Sequence, residues 1–224
     1  MCSFEFSDRW VSCPHFNHIK TTCEHPENKT GECEEMDCPT LPQIRVLAVR
    51  QPWASLIIEG LKTIEVRSRN TNIRGPVAIY AGNHLPTEGE KYNFLKMIYD
   101  MEFYSVISHE DRKTSEDILY GSEYGKIVGT VEIVDSTHTC KTVEDFISEQ
   151  KKHWSDHLQK TGKGEYKSVF WHLKNPVKFA DPVKLSRWPS GGPWAKVPKS
   201  ILSEICNKMY FDKEDEAAVS EKRM

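Results

Sequence analysis

Three charged residues in one short segment could bind or transform an anionic ligand. They are Lys62, Glu65 and Arg67, and the alternating Ile64 and Val66 predict that a strand runs through them. Ile64 and Val66 would face the core, so Thr63, Glu65 and Arg67 would share the opposite face, with neighbours about 7 Å apart. Lys62 is two residues before Ile64, so in a regular strand it would point towards the core. It reaches the face of Glu65 and Arg67 only if it precedes the regular strand. The segment therefore predicts a compact polar site.

Positive charge extends beyond this strand. Between positions 45 and 74 six basic residues stand against two acidic ones, a local net charge of +4, although the whole chain has a formal net charge of −3. This contrast excludes a histone-like binder and predicts a local anion-binding face, where cations contact phosphates and an aromatic ring stacks on a base. The candidate ligand contacts are Lys62, Glu65, Arg67, Arg69, Arg74 and Trp53, with Tyr80 as an alternative stacking residue.

Each candidate also has a simpler interpretation. A glutamate and an arginine two residues apart on a strand are often a surface ion pair, worth ~0–1 kcal/mol. Trp53 lies on the apolar stripe of a predicted helix, which favours core packing. His153 and His157 are spaced i and i+4, but we interpret them as exposed side chains, not as metal ligands.

The N-terminus holds a second group of reactive residues, because five of the seven cysteines fall within the first 38 positions. This segment is hydrophilic and has too few apolar residues to fold around a core, so a metal would have to stabilise it. Thiolates stay reduced inside cells and bind Zn²⁺ tetrahedrally, so we expect a structural zinc ion. The best ligand candidates are Cys13, Cys23, Cys33 and Cys38. Disulfides in an exported protein, free thiols, or a histidine ligand (His15, His18 or His25) are the alternatives.

The elements that must position these side chains follow from apolar periodicity and from glycine and proline positions. Strands are predicted at 44–49, 63–67, 76–81, 127–134, 167–173, 176–179 and 183–186. Helices are predicted from Pro52 to Gly60, Glu88 to Met101, 142 to 150, and Pro198 to about Tyr210, with residues 104–124 irregular. Many short strands with a few inserted helices predict a mainly β (α+β) fold built on a small barrel. Trp188 and Trp194 would close it beside a Gly-Gly turn.

Composition and length set the broad class of the protein. The 224 residues are 38% hydrophobic and 28% charged, as in an ordinary globular protein. No apolar run reaches the ~20 residues of a membrane helix, and no signal peptide is recognisable, so we expect an intracellular, cytoplasmic protein without a membrane partner. Nucleotide-binding and hydrolase motifs such as GxGxxG, HExxH and GxSxG do not occur, and we expect no organic cofactor. The predicted units are a metal-stabilised segment at 1–42, a domain at 43–211 and a charged, disordered tail at 212–224.

The order of these motifs resembles the ASCH domain family, which is similar to PUA domains. The resemblance rests on Arg-Gln-Pro-Trp-Ala-Ser-Leu-Ile at 50–57, Gly-Leu-Lys-Thr-Ile-Glu-Val-Arg at 60–67 and Asn-Ile-Arg-Gly-Pro-Val-Ala-Ile-Tyr-Ala at 72–81. It continues through 125–131, 175–177 and 191–194, and so spans roughly 45–198. The Gly-x-Lys-x-x-Glu-x-Arg core is its most specific part.

The resemblance implies a PUA-like β-barrel with a cleft beneath the first helix, where Gly60, Lys62, Glu65 and Arg67 would lie. It implies binding of RNA or of a modified nucleoside. Some bacterial relatives remove the acetyl group of N4-acetylcytidine with a lysine and a threonine three residues apart plus a separate glutamate, and others are reported as ribonucleases. Here Lys62 matches the lysine and Glu65 occupies the threonine position, so both would be the catalytic residues of such an enzyme. A protein-interaction module that docks a partner through the cysteine-rich segment is a third alternative.

Overall fold

The computed structural model describes residues 16–17, 22–23, 44–155, 158, 167–185 and 192–197, together with positions 201, 204, 205 and 208. Side chains are described from residue 44 onward. The two short N-terminal strands, β1 (Phe16–Asn17) and β2 (Thr22–Cys23), pair antiparallel with each other. Across the described part of the chain, none of the helices is both long and apolar enough to cross a membrane.

A seven-stranded mixed sheet forms the centre of the fold. Its strands are β3 (Arg45–Val49), β4 (Ile64–Arg67), β5 (Gly75–Ala81), β6 (Lys126–Asp135), β7 (Thr139–Cys140), β8 (Ser168–Lys184) and β9 (Trp194–Lys196). The order along the sheet is β4-β8-β6-β5-β3-β9, with β7 also paired to β8. Only β3 and β5 run parallel among these described strands, and the other pairs are antiparallel.

The strand path stays open between β4 and β9, so within the described residues the predicted barrel is a half-barrel. The two ends of the path nevertheless approach each other. A nitrogen of the Arg67 guanidinium on β4 donates to the carbonyl oxygen of Ala48, at the end of β3, over 2.9 Å. Trp171 of β8 stacks on Trp194 of β9 at 5.5 Å between ring centroids, which agrees with the prediction that Trp194 helps to close the fold. Trp188 lies outside the described residues.

Strand β8 is one continuous element of 17 residues, where the sequence predicted three separate strands. The first of the two predicted breaks falls at Asn175, which has a positive φ of 51°, and at the following proline; the second falls at residues 180–182, which β8 also includes. Its long partner β6 absorbs this irregularity, because their register shifts at three points. The backbone therefore bends through the interruption and keeps its pairing, as β-bulges allow.

Five helices complete the continuous part of the chain. They are α1 (Trp53–Ile58), α2 (Glu88–Phe103), α3 (His109–Gly121), α4 (Val143–Ser148) and α5 (Gln150–His153). Positions 201, 204, 205 and 208 are also helical, in agreement with the helix predicted there. The prediction of an irregular segment at 104–124 was wrong. Helix α3 begins at a capping box formed by Ser108 and Asp111. Its sequence is mostly polar, so apolar periodicity did not indicate the buried face that includes Leu119.

Both faces of the sheet are covered. One face packs against α1 through Leu47, Ile57, Val77 and Ile79, among others. The opposite face packs around Val46, Tyr80, Phe179 and Ile205. A third apolar cluster joins α1 to α2 and α3, and it includes Leu56, Phe94, Ile98 and Trp154. Helix α1 therefore lies between the sheet and the two long helices, which fixes the segment that follows it.

Candidate functional site

The end of helix α1 determines where Lys62 lies. Gly60 has a φ of 76°, a left-handed conformation that glycine adopts without strain and that commonly ends a helix. The backbone N–H of Lys62 then donates to the carbonyl oxygen of Leu56 over 2.9 Å, and β4 begins two residues later. Lys62 thus precedes the regular strand, which is the condition under which it can reach the face of Glu65.

The Lys62 ammonium is buried, with 3% of the residue exposed. Its Nζ donates to the carbonyl oxygens of Ile64 (2.6 Å) and His153 (2.5 Å) and lies 3.3 Å from Oε2 of Glu65. Three acceptors match the three N–H donors of an ammonium group. Burial lowers the pKa of Lys62 below its usual value, the Glu65 carboxylate opposes this shift, and the Arg67 charge adds to it.

Glu65 and Arg67 form the second half of a buried charge cluster. Glu65 is 7% exposed, and its Oε1 lies 2.9 Å from a guanidinium nitrogen of Arg67, so its two oxygens contact two different cations. The guanidinium also lies 5.7 Å above the ring of Trp171, within cation–π range. We call Lys62, Glu65 and Arg67 the charge cluster; it carries a formal charge of +1. Each charge has an ionic partner inside the cluster, but the buried Nε of Arg67 has no hydrogen-bond partner among the described residues.

Helix α5 and the residues after it form one wall of the site. Trp154 is 1% exposed in a left-handed conformation, and its indole N–H donates to the carbonyl oxygen of Leu61 over 2.9 Å. Its own carbonyl oxygen accepts the indole N–H of Trp53 over 2.8 Å. These two bonds attach the wall to both ends of α1, so the carbonyl of His153 is positioned for Lys62.

His153 is fully buried, and the prediction that it is exposed was wrong. Its ring stacks on Phe146 at 4.1 Å, with Nε2 2.7 Å from the carbonyl oxygen of that residue. The backbone N–H of Ser155 donates to Nδ1 over 3.0 Å, so the neutral tautomer protonated on Nε2 satisfies both contacts. Burial, assisted by the nearby Lys62 charge, lowers the pKa of His153 to about 4. His157 lies outside the described residues.

The charge cluster lines an open cleft with a volume of about 710 Å³. Trp53, Ser68, Ser155 and Pro193 also line it, and Arg50 lies at its edge with 65% of its side chain exposed. The volume is within the range typical of small-molecule sites, ~300–1,000 Å³. A ligand that entered would meet buried cations and a carboxylate at the bottom and an exposed guanidinium at the edge.

The other predicted contacts divide between the cleft and the rest of the surface. Trp53 lines the cleft, but its partly buried ring also packs edge-on against Phe94, so the core interpretation holds as well. Arg69 and Arg74 are exposed and are not among the residues that line the cleft. Arg74 donates to two carbonyl oxygens of its own turn and lies 3.6 Å from Asp135. Tyr80 is 2% exposed inside the core, so the prediction that it could stack on a base was wrong.

The predicted zinc site cannot be placed. Cys13, Cys33 and Cys38 lie outside the described residues, and only the backbone strand of Cys23 lies within them. Within the described ranges, no group of three or more histidine, cysteine, aspartate or glutamate side chains could hold a metal ion. Zinc therefore stays a prediction for the N-terminal segment.

Sequence reasoning missed three residues that build the site: Arg50, His153 and Trp154. The signal for Trp154 was present, because a tryptophan between lysines and an aspartate stands out in a polar segment. Nothing in the local sequence indicates that His153 offers its carbonyl oxygen to a lysine 91 positions away. That contact depends on tertiary packing.

Comparison with known proteins places the chain in a family. Residues 47–183, more than half of the chain, match the ASCH domain. No curated protein matches the sequence. Among solved structures, an ASCH protein from Zymomonas mobilis is similar at 11% identity and a TM-score of 0.46, over 74% of this chain and 94% of that one. Serine-to-alanine and tyrosine-to-phenylalanine mutants of that protein give TM-scores of 0.44 and 0.41 at 10% identity; both cover 74% of this chain, and 95% and 98% of their own. From the family match, the chain belongs to the ASCH domain family.

Proposed function

We propose that this ASCH domain binds RNA or a modified nucleoside in the cleft above the charge cluster. The observation that carries the proposal is the cluster itself: two cations and a carboxylate, largely buried, at the bottom of an open cleft of about 710 Å³. Buried charges are costly unless they are paired, and here each one is paired within the protein. Such an arrangement is typical of a preformed polar site.

Preorganisation is the physical advantage of this cluster. Because Lys62 and Arg67 already hold Glu65, no side chain has to be reoriented when a ligand binds. The edge of a base offers neutral donors and acceptors that can pair with a fixed carboxylate and a fixed guanidinium. Trp53, whose N–H is bonded to Trp154, supplies a rigid aromatic side to the cleft. The cleft therefore suits one base, with the rest of a strand outside.

Arg67 is the best residue for testing binding, because it is the most exposed member of the cluster. We would measure the affinity of the protein for an RNA oligonucleotide that carries one N4-acetylcytidine. Arg67→Ala should weaken binding more than ten-fold, whereas Arg74→Ala removes an equal charge outside the cleft and should change it less than two-fold. Removing Arg67 also takes a cation from the buried Glu65, so both variants are compared under conditions where urea unfolding shows them folded. Equal losses of affinity in the two folded variants would contradict the proposal.

A hydrolase is the second candidate, and one specific contact favours it. A buried lysine with a lowered pKa lies 3.3 Å from a carboxylate, and such a pair can move protons during amide hydrolysis. After passing a proton to Glu65, Lys62 would act as the base for a water molecule whose oxygen attacks the acetyl carbon. The C–N bond then breaks, acetate leaves, and Glu65 returns its proton to the amino group of cytidine. A ribonuclease could use the same pair.

Deacetylation and chain cleavage can both be assayed in the sample that is used for the binding measurement. Deacetylation or chain cleavage by the wild-type protein that disappears in Glu65→Gln, a variant of equal size, would show an enzyme. If the RNA binds but is neither deacetylated nor cleaved, the protein has only the binding function. If the protein does not bind RNA even at low salt, where phosphate contacts are strongest, the result favours a protein-interaction role for the chain.

A further inference from the structure

Arg50 differs from the other cations of the cleft. Lys62 and Arg67 are bonded to protein acceptors, whereas the Arg50 side chain is 65% exposed at the cleft edge. Within the described residues no acceptor lies within hydrogen-bond distance of its guanidinium. Its nearest partner is Oε1 of Glu90 at 3.7 Å, which is a loose ion pair. As far as the described residues extend, the guanidinium donors are unoccupied and can bond to a ligand at the cleft edge.

Glu90 does not need Arg50, because other groups already occupy its carboxylate. Oε2 accepts from the backbone N–H of Thr87 (2.8 Å) and from its hydroxyl (3.0 Å), and it also lies 3.0 Å from Nε2 of His84. These contacts, led by the Thr87 backbone bond, lower the pKa of Glu90 to about 2. The Glu90 carboxylate thus stays ionised. It attracts the Arg50 guanidinium but accepts no hydrogen bond from it.

The charges that line the cleft favour an anionic ligand for the Arg50 guanidinium. Three cations and one carboxylate give a formal charge of +2, and the charge cluster accounts for only +1 of it. The remaining positive charge is that of Arg50 at the edge, where the Glu90 carboxylate balances it from 3.7 Å but does not occupy its donors. A neutral nucleoside held by the cluster would leave these donors without a hydrogen bond. A phosphate oxygen pair can accept two parallel N–H bonds from a guanidinium, the geometry that favours arginine at phosphate sites.

We propose that Arg50 is the phosphate-binding residue of the cleft, and that the ligand is a nucleotide within an RNA strand, not a free nucleoside. This inference rests on the function proposed above and narrows its ligand class. The phosphate would approach the exposed side of the guanidinium, away from Glu90. A base would then reach the charge cluster while the flanking backbone stays at the edge.

Salt dependence tests this assignment without knowledge of the preferred sequence. Each phosphate that a protein cation neutralises on a single strand contributes about 0.7 to the slope of log affinity against log salt concentration. We would measure this slope by fluorescence anisotropy with the acetylcytidine-containing oligonucleotide. Arg50→Ala should lower the slope by about 0.7 and weaken binding about ten-fold at low salt. Arg50→Lys keeps the charge and should keep the slope, and Arg74→Ala should match the wild type.

The possible outcomes separate this inference from the proposed function. If the wild-type protein binds the RNA and Arg50→Ala has the wild-type slope, the phosphate assignment is wrong and the binding function stands. If Arg74→Ala lowers the slope as much as Arg50→Ala does, the effect is one of general charge and the assignment is also wrong. If the wild-type protein does not bind the RNA at any salt concentration, both proposals fail. Melting temperatures of the Arg50 variants should equal that of the wild type, since the side chain is mostly exposed.

Discussion

Protonation of His153 should destabilise the fold at mildly acidic pH. The ring is fully buried, and both of its nitrogens are engaged in the neutral form. Its pKa of about 4 in the folded protein compares with about 6.5 in an unfolded chain. Between these two values the unfolded state binds more protons than the folded state, so the free energy of unfolding must fall as the pH falls.

The size of this effect follows from the pKa difference. With the two values above, His153 alone should remove about 2 kcal/mol of stability at pH 5 and about 3 kcal/mol at pH 4, relative to pH 8. Most of the loss lies between pH 6.5 and pH 4. Because the carbonyl of His153 accepts a hydrogen bond from Lys62, we expect the cleft to lose its geometry in the same pH range.

Urea unfolding of the wild type and of His153→Gln, measured from pH 4 to pH 8, isolates the contribution of this ring. Carboxylates also titrate in that range, but they are common to both proteins and cancel in the difference between the two free energies of unfolding. Glutamine cannot take up the proton. The amount by which the free energy of unfolding of His153→Gln lies below that of the wild type should therefore shrink by ~3 kcal/mol between pH 8 and pH 4. A difference that stays constant over the whole range would refute the reasoning, because His153 would then titrate equally in both states.

Three further substitutions test the charge cluster, the β6–β8 contact and the cap of α2. Lys62→Met should cost ~3 kcal/mol, because it leaves a buried carboxylate with one cation less, and adding Glu65→Gln should recover part of the loss in urea unfolding. Gly129→Ala should cost ~1–3 kcal/mol or more in melting experiments, since a Cβ would lie 2.2 Å from the Val177 backbone oxygen; an unchanged melting temperature would contradict this close approach. Thr87→Ala should cost ~1 kcal/mol through loss of the α2 cap, and no change in calorimetry would show that water replaces it.

The local signals in the sequence were sufficient for most of the fold. Helix α1, the turn at Gly60 and strand β4 follow from periodicity and from the positive φ that glycine tolerates. Helix α3 was missed because its stability comes from a capping box and from burial of a mostly polar face, including Arg112 at 8% exposure. Single-sequence periodicity cannot detect a buried arginine that is paired with carboxylates such as Glu102.

The composition of the site could be predicted, but its geometry could not. Strand alternation placed Glu65 and Arg67 on one face, and the family resemblance supported the assignment of Lys62 to the same cleft. The sequence does not show that Arg74 bonds to the backbone of its own turn, or that Arg50 makes no hydrogen bond to a described residue, since both depend on the folded geometry. Formal charge counts treat these two arginines alike, and only their contacts distinguish them.

The length of strand β8 has a consequence for the order in which this protein folds. One segment near the end of the domain pairs with β4, β7 and β6, joining residues as distant as Ile64 and His172. Closing such long loops is entropically unfavourable, and proteins with many distant contacts fold slowly. During synthesis, β4 must wait unpaired until residues 168–184 leave the ribosome. Helices α2 and α3 pack against each other, against α1 and against Trp154, all of which precede β8 in the chain. We therefore expect the helical part to form early and the cleft to be assembled last.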